Sequence, residues 1–294
     1  MIACFANTDH PVILVRIMIL TSNEKESPAL GLAHFTVLGV PPLELVSLAA
    51  GIGYASIGLR LYPAFPGAPF YELPAGTACS QQMRSRLWDE GIQVHDIEFI
   101  TIDADFSAAR LTGVLEAANT LGARRLSVCG DDPDRSRLTA NFASLCDLAA
   151  QYALGVDLEC MAWRTVASFA DALDVVSAAD RPNGGLLVDA LHLSRSGGRP
   201  VDLRTAPARL IRSAQLCDAV AERPTTPEAL VKEARSARLP PGHGALPLRD
   251  LLAELPEGTA LSVEVPLSGS ADPQQHARDN FLAAQRLFDS LRQP

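Results

Sequence analysis

The chain is short of the residues that mark several functional classes. Basic side chains are outnumbered, 25 Lys and Arg against 34 Asp and Glu, for a formal net charge of −9. Nucleic acid needs clustered cations against its phosphates, so it is not an expected partner. The six cysteines form no CxxC pair, and Cys129, Cys160 and Cys217 sit inside apolar runs. That is how buried free thiols are used; it argues against a zinc–thiolate site and fits a reducing, cytoplasmic compartment. The one marked apolar run near the start, 12–20, is broken by Arg16. It is too short for a bilayer and lacks the basic leader and cleavage site of a secretory signal, so no membrane partner is expected. No glycine-rich phosphate fingerprint follows the first predicted strand, which disfavours a dinucleotide-binding open sheet.

What is present is ample core material: 294 residues, 48% apolar and 20% charged. The length is close to that of a complete (β/α)8 barrel, about 250 residues. Short β-type runs alternate with helical patterns from Leu32 onward. Strands are predicted at 32–38, 54–59, 94–102, 125–129, 156–160, 185–189, 210–217 and 260–265. Several are nearly continuous apolar runs, as in a parallel sheet covered on its outer face. Helical patterns are predicted to open at Pro41-Pro42, to fill 106–121, 135–154, 166–179 and 248–255, and to run from Asp272-Pro273 to about residue 291. The expected fold is therefore α/β, a single-domain (β/α)8 TIM barrel over 29–294, with a doubly wound open sheet as second choice. Residues 1–28 look unrelated to the rest and are expected to be a loose N-terminal extension, with Met18 as a candidate start.

Two connections are long. Residues 60–80 hold Tyr62, Phe65, Phe70 and Tyr71, and residues 218–247 hold Arg223, Lys232, Arg235, Arg238 and His243. Both follow strands, so in a barrel both lie on the catalytic face. Each is either a lid or a surface embellishment.

Polar residues interrupt the last four predicted strands near their ends: Glu159, Asp189, Gln215 and Glu264. Three carboxylates in a barrel mouth are costly without a cation. With the amide oxygen of Gln215 they make a hard oxygen shell, suited first to Mn2+ or Mg2+, with Co2+ and Zn2+ also able to bind. The competing readings are an ion pair with a loop arginine for each acid, and a hydrogen bond to a neighbouring carboxylate for Gln215. His192, three positions after Asp189, is expected to contact substrate, as a hydrogen-bonding or acid–base group, or else to orient a ligand. Asp218 is expected to orient a ligand or bound water. Glu98 is expected to face the mouth. His34, on the first predicted strand, is either a site residue or a packed barrel histidine, and His95 is expected to be structural. Arg195, Arg223 and His243 are candidates for an anionic substrate group, each against the alternative of a solvated surface side chain.

In their order along the chain, Leu158-Glu159, Asp189-Ala190-Leu191-His192, Gln215-Leu216-Cys217-Asp218 and Val263-Glu264-Val265 resemble the xylose isomerase-like TIM barrel superfamily. Arg195-Ser196-Gly197-Gly198 and Leu239-Pro240-Pro241-Gly242-His243-Gly244 add to the likeness. That group holds sugar phosphate isomerases and epimerases, inosose dehydratases and 3-dehydroshikimate dehydratases. The resemblance implies one divalent metal, Mn2+ first, on Glu159, Asp189, Gln215 and Glu264, with Glu159 and Glu264 moving protons. It implies a metal-dependent isomerase or epimerase of a small keto sugar or related polyhydroxylated carbonyl compound, acting through an enediolate. The alternative within it is a dehydratase, a lyase acting on an inosose or 3-dehydroshikimate, and Gln215, where many members carry His, keeps that open. Outside it stands a non-catalytic ligand-binding barrel. An apurinic-site endonuclease shares the fold but needs a histidine-rich zinc cluster that these residues do not supply. The long seventh connection or an apolar helix face offers a surface for a homo-oligomer.

Overall fold

In the computed structural model, which describes residues 28–292, eight parallel strands close into a barrel in the order β1 to β8. The first half runs β1 (Leu30–Leu32), α1 (Pro42–Ile52), β2 (Ser56–Arg60), α2 (Ala78–Glu90), β3 (Gln93–Ile102), α3 (Thr112–Thr120), β4 (Arg125–Gly130) and α4 (Arg135–Ala150). The second half runs β5 (Gly155–Glu159), α5 (Phe169–Ala179), β6 (Gly184–Asp189), α6 (Ala190–Arg195), β7 (Ile211–Leu216), α7 (Pro227–Ser236), α8 (Leu248–Glu254), β8 (Ala260–Val263) and α9 (Pro273–Arg292). The expected extension, residues 1–28, lies outside the described residues apart from Pro28, and so does Met18. No described helix is long and apolar enough to cross a membrane.

Helix starts are chemically marked. Pro42 opens α1 with its fixed φ, and Gly53 closes it at φ 114. Thr77 caps α2 by accepting from Ser80 N at 3.2 Å, and Ser168 with Asp171 forms a capping box on α5. Strands β5 and β6 are buried along their whole length, because helices cover the outer face and side chains fill the inner one.

Two expectations need correction. The first strand is not 32–38 but Leu30–Leu32, and His34–Val37 turns into a short 3-10 helix. His34 therefore stands above the barrel rather than within it. The long connection 218–247 contains a helix that the sequence patterns did not predict, α7, capped by Thr226 and opened by Pro227. Helix α2, likewise absent from the predicted helices, occupies the second part of the connection between β2 and β3.

Candidate active site

The register of β5 to β8 determines which side chains meet. Glu159 pairs with Leu187, two residues before Asp189; Asp189 pairs with Gln215; Gln215 pairs with Ser262, two residues before Glu264. Side chains alternate faces along a strand and neighbours in register share a face. All four polar groups therefore project together at the C-terminal end of the barrel, where each is buried. Carboxylate and imidazole atoms of Glu159, Asp189 and His192 lie within 4.8 Å of one another.

Each acid is held differently. Asp189 also caps α6, its Oδ1 accepting from His192 N at 2.9 Å, while its Oδ2 accepts from Arg238 Nη1 at 2.5 Å. Glu264 accepts from Gln215 Nε2 at 3.0 Å through Oε1, and Arg238 Nη2 lies 3.1 Å from its Oε2. Glu159 Oε1 and Gln215 Oε1 are buried and find no hydrogen-bond partner among the described residues. Unpartnered buried oxygens are expensive.

Charge points the same way. Fully ionised, the three carboxylates would face one guanidinium, that of Arg238, and leave two negative charges that a desolvated floor resists. Burial, reinforced by Asp189 and Glu264, holds the Glu159 carboxyl well above the ordinary range. Burial also pushes Glu264 up to about 8, against the pull of Arg238. Asp189 is the exception: burial acts to raise it, but Arg238 and His192 together outweigh burial and keep it low. The two orphaned oxygens and the buried cluster of Glu159, Asp189 and His192 could hold one divalent cation.

His192 lies edge-on to Trp163, ring centroids 5.1 Å apart. Its Nε2 is 3.3 Å from Arg238 Nη2. A guanidinium only donates, so the imidazole proton sits on Nδ1. Burial pushes the imidazole down to about 4, so His192 is neutral at ordinary pH.

Glu159, His192, Gln215, Arg238 and Glu264 line the floor of a cavity of about 270 Å³. Phe35, Phe99, Met161 and Trp163 make apolar walls, and Arg60, Glu98 and Arg164 add charge. Phe65, from the connection after β2, meets Arg235, at the end of α7, with the guanidinium 4.9 Å from the ring centroid. That contact closes part of the mouth. A wider groove of about 1070 Å³ beside Trp88 lies between α2 and α3, outside the barrel. It lacks a desolvated set of acids, so the barrel mouth is the candidate site.

The remaining predicted residues fall into two groups. Glu98 lines the cavity, accepting from His34 N at 2.5 Å, from Phe35 N at 3.1 Å and from Arg60 Nη2 at 3.3 Å. Gly58 makes this possible, since a Cβ there would collide with the Glu98 carboxylate. His34 is a packed histidine: Nδ1 accepts from Arg60 N at 3.0 Å, Nε2 lies 2.9 Å from Val40 O, and Tyr71 stacks on the ring. Arg195 does not reach the cavity; it grips Glu233 of α7 at 2.8 and 2.7 Å and Val220 O at 2.7 Å. Arg223 is exposed and outside the lining. His243 lies 3.4 Å from Arg286 on the exterior. Asp218 Oδ1 accepts from Ala219 N and Leu246 N and fixes the seventh connection. His95 hydrogen-bonds Ser213 at 2.9 Å, away from the cavity.

Sequence reasoning missed Arg60 and Arg164 as site residues and named Arg235 and Arg238 only as basic members of a connection. One signal was available for Arg60, which directly follows predicted strand 54–59 and so had to stand at the mouth.

Comparison with known proteins agrees with this architecture. A family model, xylose isomerase-like TIM barrel, matches residues 46–289. A 3-dehydroshikimate dehydratase of Pseudomonas aeruginosa is 31% identical over 117 residues, 40% of this chain and 18% of that protein. The chain thus matches less than a fifth of that relative's length. Among solved structures, a xylose isomerase-like TIM barrel/4-hydroxyphenylpyruvate dioxygenase fusion protein superposes with TM-score 0.76 at 21% identity, covering 91% of this chain and 44% of the fusion. The IOLI protein with a bound zinc atom gives TM-score 0.65 at 19% identity, covering 90% of this chain and 95% of that one. D-psicose 3-epimerase with D-tagatose, from Clostridium cellulolyticum H10, gives 0.66 at 12% identity, covering 88% and 98%. At these identities the structural likenesses speak for the fold.

Proposed function

The chain belongs to the xylose isomerase-like TIM barrel family, and on that footing we propose that it is a metal-dependent dehydratase of a small, carboxylate-bearing polyhydroxylated ketone of the 3-dehydroshikimate type. The observation that carries this reading is the pairing of an acidic floor with two unused guanidinium donors in one cavity. Arg60 and Arg164 both line it, and in each the buried Nε has no hydrogen-bond partner among the described residues. Each guanidinium is already ion-paired, Arg60 with Glu98 and Arg164 with Asp131, so what remains is an unused Nε–H, and a substrate carboxylate would accept from such charged donors more strongly than a sugar hydroxyl. The local match to a 3-dehydroshikimate dehydratase supports the same choice.

Glu159, Asp189, Gln215 and Glu264 are the residues that would hold the cation, with Mn2+ first among Mg2+, Co2+ and Zn2+. Bound there, the cation would polarise the substrate carbonyl and acidify the carbon beside it. The protein's own groups do the rest. A carboxylate of the Glu159 and Glu264 pair takes the proton from that carbon. The released electron pair forms a carbon–carbon double bond as the β-hydroxyl departs, and the other acid of the pair supplies the proton with which it leaves as water. His192 is neutral and gives a substrate hydroxyl a hydrogen bond rather than a proton. Phe35, Phe99 and Trp163 exclude water from the ring face.

A second reading keeps the floor and drops the elimination: an isomerase or epimerase of a keto sugar. Its support is that Glu159 and Glu264 both line the cavity and are both raised, so one can take a proton and the other return it. The test loads wild type and Glu264→Gln with Mn2+, measures metal per chain, and offers each 3-dehydroshikimate and a ketohexose. Ultraviolet absorbance of a conjugated product supports the dehydratase, and a new ketose epimer supports the second reading. Metal in neither protein after Mn2+ soaking would sink both and leave a ligand-binding barrel.

A further inference from the structure

Arg238 stands where the floor needs positive charge, and its surroundings are those of a built-in component. The side chain is 2% exposed. Besides Asp189 and Glu264, its Nη1 donates to Glu264 O at 3.2 Å and to Cys217 Sγ at 3.4 Å, and its Nε donates to Ala234 O at 2.9 Å. The guanidinium therefore touches the ends of β6, β7 and β8 together. Its backbone is pinned as well: Leu239 N donates to Asp218 O at 2.8 Å and Asp218 N to Leu239 O at 2.7 Å, an antiparallel bridge beside the end of β7. Gly244 lets this segment close, since a Cβ there would collide with Ala219 O and Asp218 Oδ1. Upstream, α7 is fastened by Arg195 on Glu233.

From this arrangement we propose that Arg238 is a resident cation that shares Asp189 and Glu264 with the metal, positioning both carboxylates for it and holding the acidic floor together before it binds. The proposal rests on the metal-site reading of the previous subsection. Its logic is charge counting in a dry site. With the guanidinium in place, one divalent cation brings the three carboxylates to neutrality. Without it, the metal-free floor holds three uncompensated acids, and the metal becomes the sole source of cohesion. Carboxylate oxygens have lone pairs for both partners, so the guanidinium and the cation need not exclude one another.

The test uses thermal unfolding of the full chain near neutral pH, in chelator and in excess Mn2+, for wild type and Arg238→Met. The expected result is a loss of roughly 10 °C for the variant in chelator, and a rise with Mn2+ that is larger than the rise in wild type. A variant as stable as wild type in chelator overturns the proposal. So does a loss that Mn2+ restores no better than it stabilises wild type, because that is the behaviour of a side chain that only packs the connection. If Arg238→Met does not fold, Arg238→Met with Asp189→Asn decides the matter in chelator alone. Removing one acid recovers stability if Arg238 is a counter-ion, and failure of the double variant to fold overturns that role. Wild type that shows no Mn2+ response speaks against the metal site itself, and the chelator result of the double variant still judges the counter-ion.

Discussion

Gln215 gives its amide N–H to Glu264 Oε1 at 3.0 Å and is left with a buried, unpartnered oxygen. Glu264 thereby sets the amide's orientation, and the free lone pairs fall on the atom a hard cation needs. Gln215→Leu is expected to lower Mn2+ affinity by about ten- to a hundredfold, while Gln215→His, which keeps a ligand atom, stays closer to wild type. Isothermal titration of the apo proteins checks this, and equal affinity in Gln215→Leu would show that the amide only hydrogen-bonds its neighbour.

Arg195 and Arg223 should separate cleanly. Arg195→Met leaves Glu233 buried without its partner and should cost about 3–5 kcal/mol of stability. Arg223→Ala should stay within about 0.5 kcal/mol. Urea denaturation of both variants measures this. A large change in KM for Arg223→Ala would return that residue to the site.

The contact between Phe65 and Arg235 closes part of the mouth without touching the floor. Losing a cation–π contact at an exposed site is worth about 0.5–1 kcal/mol. Phe65→Ala and Arg235→Ala are therefore expected to raise KM a few-fold with metal content unchanged. Loss of metal in either would show that roof and floor depend on each other.

Acid in the barrel interior should leave a mark in the pH profile. Asp96 accepts a hydrogen bond from Ser127, yet burial, against that hydrogen bond, pushes its carboxyl up from 3.8 to about 6. Its folded value lies above its unfolded one, so the unfolded chain releases the proton first. Stability should thus fall as pH rises from about 4 through about 6, by roughly 3 kcal/mol. Asp96→Asn should lose this component of the slope. Identical slopes in wild type and variant, measured by melting temperature across that range, would contradict the assignment.

The alternation of apolar strand and amphipathic helix was enough to read the barrel from sequence, because each element must bury one face and the period of the pattern names the element. The four polar interruptions were readable for the same reason: an acid at the end of an otherwise apolar strand has no other place to stand. His34 was placed one element too low, since an apolar run that turns from strand to 3-10 helix has no mark at the turn. Arg195 and Arg238 defeat local reading altogether. Arg195 ends α6 and Arg238 follows α7, and nothing in their neighbours says that one would fasten a helix and the other enter the acidic floor. That choice belongs to tertiary structure, because a guanidinium goes to the unbalanced buried charge within its reach. Reach is decided by the bridge between Asp218 and Leu239, which exists only once the chain has closed on itself.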